Sequence, residues 1–205
     1  MDLLDEKSAK PILDKFSKND LQNLNSMIEQ GLNSPMTSSV GRLFDAASAL
    51  LGICDKPSYE GEAAIMLEAK LWDYLSANKK KAFDKRYEIA LTKNVGSKES
   101  TAHDTSVVLM DARNSFKALL EDMDKGLDVG LIAKNFHDAF VNAILQCAQF
   151  VNQLYGIKQV ALSGGVFMNR YLIENSIKKL IDAGFSVALN REVPPNDGGI
   201  SLGQI

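Results

Sequence analysis

A short apolar run that stops at a glycine pair, Gln159-Val-Ala-Leu-Ser-Gly-Gly-Val166, constrains this chain more than any other segment. Val160 and Leu162 read as a buried strand, and a helical pattern of Val166, Leu172, Ile173, Ile177 and Leu180 follows directly. Strand, diglycine and helix start together bring bare backbone N–H groups up to a phosphate or nucleotide, because glycine has no Cβ to hold a ligand away. Further on, Val193-Pro-Pro-Asn-Asp-Gly-Gly199 sets one carboxylate, Asp197, between a double proline and a double glycine. A stiff approach and a freely bending exit suit the holding of one acidic side chain at a fixed place.

The rest of the chain reads as mostly helical. Residues 7–31 carry two short helical patterns, Ala9 to Phe16 and Leu21 to Ile28, with Gly31 as a stop. After a polar link, Val40, Leu43, Phe44, Ala47, Leu50 and Leu51 share a helix face that Ser38 or Ser39 would cap and Gly52 would end. Another helix begins near Glu60. The lysine-rich middle, from Asn78 to His103, has no sustained period. Two strands, Tyr87 to Leu91 and Ser106 to Met110, flank a loose loop at residues 96–101. From Asp128, Ile132, Phe136, Phe140, Ile144, Cys147, Val151 and Leu154 recur at threes and fours, a broad stripe on a long helix that ends at Tyr155-Gly156. The strand at 159–162, a helix over 169–182 stopped at Gly184 and a strand at 185–189 then alternate. That order implies parallel pairing. The fold class is α/β and helix-rich.

Composition excludes several classes. Hydrophobic residues make up 45% and the formal net charge is -3, so a nucleic-acid-binding surface over the whole chain is disfavoured. The charged N-terminus lacks the apolar core of a signal peptide, and no apolar run is long enough to span a bilayer. A cytoplasmic protein is expected, with Cys54 and Cys147 as reduced, buried thiols. His103 and His137 are 34 residues apart and form no two-histidine metal motif. The chain holds neither a serine–histidine–aspartate order nor a Walker-type loop.

Each candidate site residue admits two readings. Ser163-Gly164-Gly165 is either a nucleotide cradle at a switch point of the sheet or a tight turn that binds nothing. Asn169, placed in the first turn of its helix, either meets a purine or ribose edge or lies on the helix surface. Asp197 is either a ligand to a divalent cation or a helix N-cap, and spacing alone favours the cap. Asp45 sits beside Arg42 one turn into its helix, an ion pair worth only about 0.2–0.5 kcal/mol. Tyr59-Glu-Gly61-Glu62 is a second glycine turn entering a helix. His137 beside Phe136 reads as a packed side chain and not a catalyst.

Taken together, several segments resemble the C-terminal part of the HypF-type carbamoyltransferases, maturation enzymes of [NiFe] hydrogenases. They are Asn33-Ser-Pro-Met-Thr-Ser-Ser-Val-Gly-Arg-Leu-Phe-Asp-Ala46, Ser58-Tyr-Glu-Gly-Glu-Ala-Ala64, Ala133-Lys-Asn-Phe-His137, Ala161-Leu-Ser-Gly-Gly-Val-Phe-Met-Asn-Arg170 and Val193-Pro-Pro-Asn-Asp-Gly-Gly-Ile-Ser-Leu-Gly-Gln204. More distantly the chain is similar to the TsaD family, which makes threonylcarbamoyladenosine in tRNA. The resemblance implies the helix-rich second lobe of an actin-like ATPase (ASKHA) fold, with a mixed sheet flanked by helices. Residues 1–32 would be an N-terminal helical segment and 33–205 the lobe itself, a fragment of a larger enzyme.

The implied chemistry uses carbamoyl phosphate and ATP to make carbamoyl-adenylate. The carbamoyl group then passes to the C-terminal cysteine of a HypE-type partner. By position, Gly164, Gly165 and Asn169 would contact the nucleotide, Asp45 and Gly61 would border the substrate, and Asp197 would bind a divalent metal. No catalytic residue is assigned. The alternatives are TsaD-like action on tRNA or a non-catalytic, nucleotide-dependent docking module. The family's paired metal-binding histidines and its other domains find no counterpart in this sequence, which leaves the metal one ligand and the cleft one wall. The chain alone is therefore expected to bind ATP weakly at best in calorimetric titration; micromolar binding would overturn that expectation.

Overall fold

The computed structural model describes residues 13–78, 84–94 and 107–204. The start of the expected helix over residues 9–16, the run Lys79 to Lys81, the loop at 96–101 and His103 lie outside the described residues. Helix α1 (Lys18–Glu29) opens on a capping box in which Ser17 and Asp20 each accept the other's backbone N–H. It buries no residue. An ion pair from Lys15 to Asp55 at 2.7 Å ties the segment before it to the loop after the next helix.

Helix α2 (Val40–Leu50) is capped by Ser39, one of the two serines expected, and turns Phe44 and Ala47 inward. Gly61 enters helix α3 (Glu62–Ala77) with φ 85°, a left-handed conformation that glycine adopts without strain. Strands β1 (Ala90–Asn94) and β2 (Val107–Asp111) pair antiparallel, with Ala90 opposite Asp111. The first begins three residues later than its sequence pattern suggests. Tyr87 and Ile89 instead enter the core, where the Tyr87 hydroxyl donates to the buried Asp122 carboxylate at 3.0 Å. That carboxylate belongs to helix α4 (Arg113–Asp124), which the sequence reading passes over. Arg86 meets Asp122 from outside at 2.8 Å, so the buried charge is paired.

Helix α5 (Val129–Tyr155) is the axis of the molecule. Asp128 caps it by accepting the N–H groups of Gly130 and Leu131 at 2.8 and 3.1 Å, and Gly156 ends it at φ 69°. Its apolar stripe packs against α3, α4 and the later helix α6 (Arg170–Asp182). Phe44, Phe136 and Phe140 meet there with ring centroids 5.0–5.5 Å apart. Strands β3 (Gln159–Leu162) and β4 (Ser186–Leu189) flank α6 and pair in parallel, as their order implies.

Helix-rich α/β architecture is observed. Among the described residues the strands divide between two two-stranded sheets, one antiparallel and one parallel, and no mixed sheet joins them. Strand β3 is covered on one side: Leu162 is buried, whereas Gln159 and Ala161 are exposed. Both cysteines are free thiols and are half-buried, less enclosed than their helical surroundings suggest. No described helix is long and apolar enough to cross a membrane.

Two consequences can be measured. A Cβ on Gly130 would lie 2.5 Å from both the Lys70 carbonyl oxygen and Tyr74 Cβ, because α5 begins directly against the backbone of α3. Gly130→Ala is expected to lower stability in urea by about 1–3 kcal/mol, the usual range for overpacking. His137 is fully buried, and burial pushes its imidazole down from 6.5 to about 4. The unfolded chain binds that proton more readily, so the stabilisation is complete above pH 6.5 and is lost as pH falls towards 4. Unfolding curves should show a loss on the order of 3 kcal/mol across that window, and His137→Gln should remove it.

Candidate functional site

The diglycine turn and the Asp197 turn are joined by a hydrogen bond: the Gly164 N–H donates to the Pro195 carbonyl at 2.9 Å. Gly164 sits at φ 106°, a conformation that a side chain would strain. The second glycine pair acts differently from the free exit expected of it. Neither Gly198 nor Gly199 has positive φ, but a Cβ on Gly199 would come within 2.9 Å of the Pro194 carbonyl oxygen. The turn is closed by tight packing.

These turns form one side of a cleft of about 810 Å³. Asp45, Gly61, Gly165, Asn169 and Asp197 all line it; Gly164 stands next to Gly165 and holds the turn in place. The cleft therefore collects segments more than 150 residues apart in sequence. It does so through helix starts. Ser39 to Asp45 bring the first turns of α2, Gly61 and Ala64 the start of α3, and Asn169 the N-cap of α6. Asn196 to Gly198 add the start of a 3-10 helix, Asp197–Gln204. A helix N-terminus carries partial positive charge and unpaired N–H groups, so the helix starts, taken alone, favour an anionic or strongly accepting ligand.

Asn169 is the N-cap of α6, one position before the first turn expected for it, because a 3-10 turn (Gly165–Met168) separates the diglycine from the helix. Its Oδ1 accepts the Leu172 N–H at 2.8 Å, and its Nδ2 lies 2.9 Å from His137 Nε2. Asp197, by contrast, is not a cap. Asn196 Oδ1 accepts the Gly198 N–H at 3.1 Å, and the exposed Asp197 carboxylate has no hydrogen-bond or ion-pair partner among the described residues. Asp45 does pair with Arg42 at 3.0 Å, and Arg42 also reaches Glu60 at 3.0 Å, linking α2 to the Gly61 turn. Exposed pairs of this kind contribute about 0.2–1 kcal/mol, so their effect is alignment more than stability.

Two lining residues escape sequence reasoning. Glu68, on α3, accepts the Tyr171 backbone N–H at 2.8 Å and the Trp72 indole N–H at 3.1 Å, and so fixes the start of α6 from across the cleft. Arg42 pairs with Asp45 on spacing alone, but its reach to Glu60 exists only in the fold. Beneath them, the Tyr171 hydroxyl donates to Asp138 Oδ1 at 2.8 Å, and buried Lys134 donates to Asp138 Oδ2 at 2.6 Å. Burial beside that carboxylate pushes the Tyr171 phenol up. A spacing of seven residues from Gly61 puts Glu68 on the cleft face of α3, but only the fold supplies its partner.

Four carboxylates (Asp45, Glu60, Glu68 and Asp197) and one guanidinium (Arg42) line the cleft. Among the described residues no three histidine, cysteine, aspartate or glutamate side chains cluster as a metal site. Asp197 offers a hard oxygen donor, but one donor does not hold a divalent ion. The described residues do not by themselves fit a bound metal.

The model of a carbamoyltransferase, Kae1-like domain, second subdomain, matches residues 2–204. Carbamoyltransferase HypF of Synechocystis sp. is 38% identical over 185 residues, covering 90% of this chain and 21% of that protein. HypF2 of Cupriavidus necator is 34% identical, covering 89% and 23%. The crystal structure of a full-length HypF in a phosphate- and nucleotide-bound form superposes with a TM-score of 0.82 at 32% identity, over 97% of this chain and 24% of that one. The chain thus spans roughly a fifth to a quarter of the length of these relatives. Fold and sequence agree, and the chain belongs to the second subdomain of the Kae1-like domain of the HypF carbamoyltransferases.

Proposed function

We propose that this chain acts as the nucleotide-holding lobe of a HypF-type carbamoyltransferase, working with the further domains that its relatives carry. In this reading carbamoyl-adenylate, made from carbamoyl phosphate and ATP, lies in the cleft. The thiolate of a C-terminal cysteine on a HypE-type partner attacks the carbamoyl carbon; a C–S bond forms, the C–O bond to phosphate breaks, and AMP leaves with the electron pair. The mixed anhydride carries its own leaving group, so the protein needs to orient the carbonyl, exclude water and balance the charge on AMP.

The observation that carries this reading is the 2.9 Å bond from the Gly164 N–H to the Pro195 carbonyl, which spends that amide on the turn and brings Gly165 and the Asp197 turn onto one cleft. Gly165 and Asn169 would contact the nucleotide, with Gly164 holding their turn in place, and Asp45 and Gly61 would border the carbamoyl end. That a HypF relative was crystallised in a phosphate- and nucleotide-bound form supports a nucleotide as a ligand of the family. Asp197 would supply one oxygen to a divalent metal whose other ligands come from outside the described residues. HypF relatives favour this reading over tRNA modification of the TsaD kind.

The alternative of another class is a lobe that serves only to dock the partner. Asp197→Asn in the full-length enzyme separates the two in an assay of carbamoyl transfer. Losses of outer-shell groups alone reduce metal-dependent activity roughly 10–100-fold, so replacement of the carboxylate should reduce transfer at least that far. Transfer at the wild-type rate would favour docking and remove Asp197 from the reaction.

A further inference from the structure

His137 has no part in the chemistry above, yet one of its atoms meets a residue that lines the cleft, Asn169. Its ring is fully buried and stands edge-on to Phe44 and Tyr171, at centroid distances of 4.8 and 5.8 Å. Nδ1 lies 2.7 Å from the Ala133 carbonyl oxygen, which can only accept, so Nδ1 carries the proton. Nε2 is then a lone-pair acceptor, and it faces Asn169 Nδ2 at 2.9 Å. On the other side, Asn169 Oδ1 takes the Leu172 N–H at 2.8 Å. A flipped amide would set its NH2 against the Leu172 N–H and its oxygen against the His137 lone pair. Both contacts forbid the flip.

We propose that His137 is a positioning residue: it locks the Asn169 amide so that the cleft meets an N–H donor, which selects an acceptor oxygen on the ligand. An asparagine amide has two N–H groups, and His137 engages one of them. Asn169 is half-buried and lines the cleft, so the second is the atom on offer. In a nucleoside monophosphate such an oxygen belongs to the ribose or to the phosphate. The charged group that acts on the ring is Asp138 on its own helix, paired with Lys134; Glu68 bonds the Tyr171 N–H at the α6 start. The ligand part of this inference rests on the nucleotide reading of the cleft, whereas the orientation of the amide does not.

The experiment is NMR on the 205-residue chain labelled with 15N. Without ligand, the His137 nitrogens should report a neutral Nδ1–H tautomer down to about pH 5, and the Asn169 side-chain amide should give a distinct, slowly rotating pair of signals. His137→Leu removes the acceptor and should collapse that pair; His137→Gln restores an acceptor and should rescue it. With AMP at millimolar concentration, shifts at Asn169 should titrate roughly tenfold more weakly in the leucine variant, the scale of one lost hydrogen bond, and near the wild-type level in the glutamine variant. Adenosine and inorganic phosphate, titrated separately, distinguish ribose from phosphate as the source of the oxygen. An Nε2–H tautomer in the wild type overturns the proposal even if the leucine variant does not fold. Unchanged Asn169 signals or unchanged AMP affinity in a folded leucine variant also overturn it. If AMP moves no signal in the wild type, the nucleotide reading and the ligand selection fail together, and the tautomer and amide signals still decide whether His137 sets the amide.

Discussion

The burial of one helix organises this protein. Along α5, the positions from Ile132 through Ala143 are almost all removed from water, and three other helices pack against it. Because α3 approaches so closely that Gly130 has no room for a Cβ, the register of the two helices is fixed at their contact. The same stripe that excludes water also carries Lys134, His137 and Asp138, which hold the start of α6 through Tyr171 and Asn169. Packing and site geometry therefore share a single element. A change that loosens the stripe would move the cleft as well.

Two electrostatic effects compete in that cleft. Helix starts each stabilise an anion by roughly 0.3–1 kcal/mol, and up to about 2 kcal/mol when partly buried. Carboxylates act the other way: at about 4 Å a like-charge pair repels by roughly 1 kcal/mol in water and about 4 kcal/mol near a protein surface. Four carboxylates against one guanidinium leave the lining net negative, which opposes the pull of the helix ends on a polyanion. The helix starts can orient a phosphate, but affinity calls for positive charge from a cation or another wall. Among the described residues no complete metal site supplies that charge.

Much of the architecture is legible in the residues. The α5 stripe, its Asp128 cap and its Gly156 stop lie where spacing puts them, as do β3, β4 and the end of α6 at Gly184. Helix α4 was legible in principle, since Phe116, Leu119, Leu120 and Met123 recur at helical spacing. It has no side-chain cap at Ala112 and follows directly on a strand, which hides its start. Strand β1 slid because Tyr87 and Ile89 satisfy the pattern of a strand while serving the helical core.

Local chemistry determined the glycine turns, the caps and the helical faces, because those depend on backbone freedom and on neighbours a few positions apart. From these the sequence yields a set of candidate residues and a class of ligand. It does not yield which atoms meet. That Pro195 accepts from Gly164, that Glu68 serves α6 and that a buried imidazole turns the Asn169 amide were decided by the tertiary structure alone. These contacts join residues 31 to 103 positions apart, and nothing short of the assembled core fixes distances across such separations.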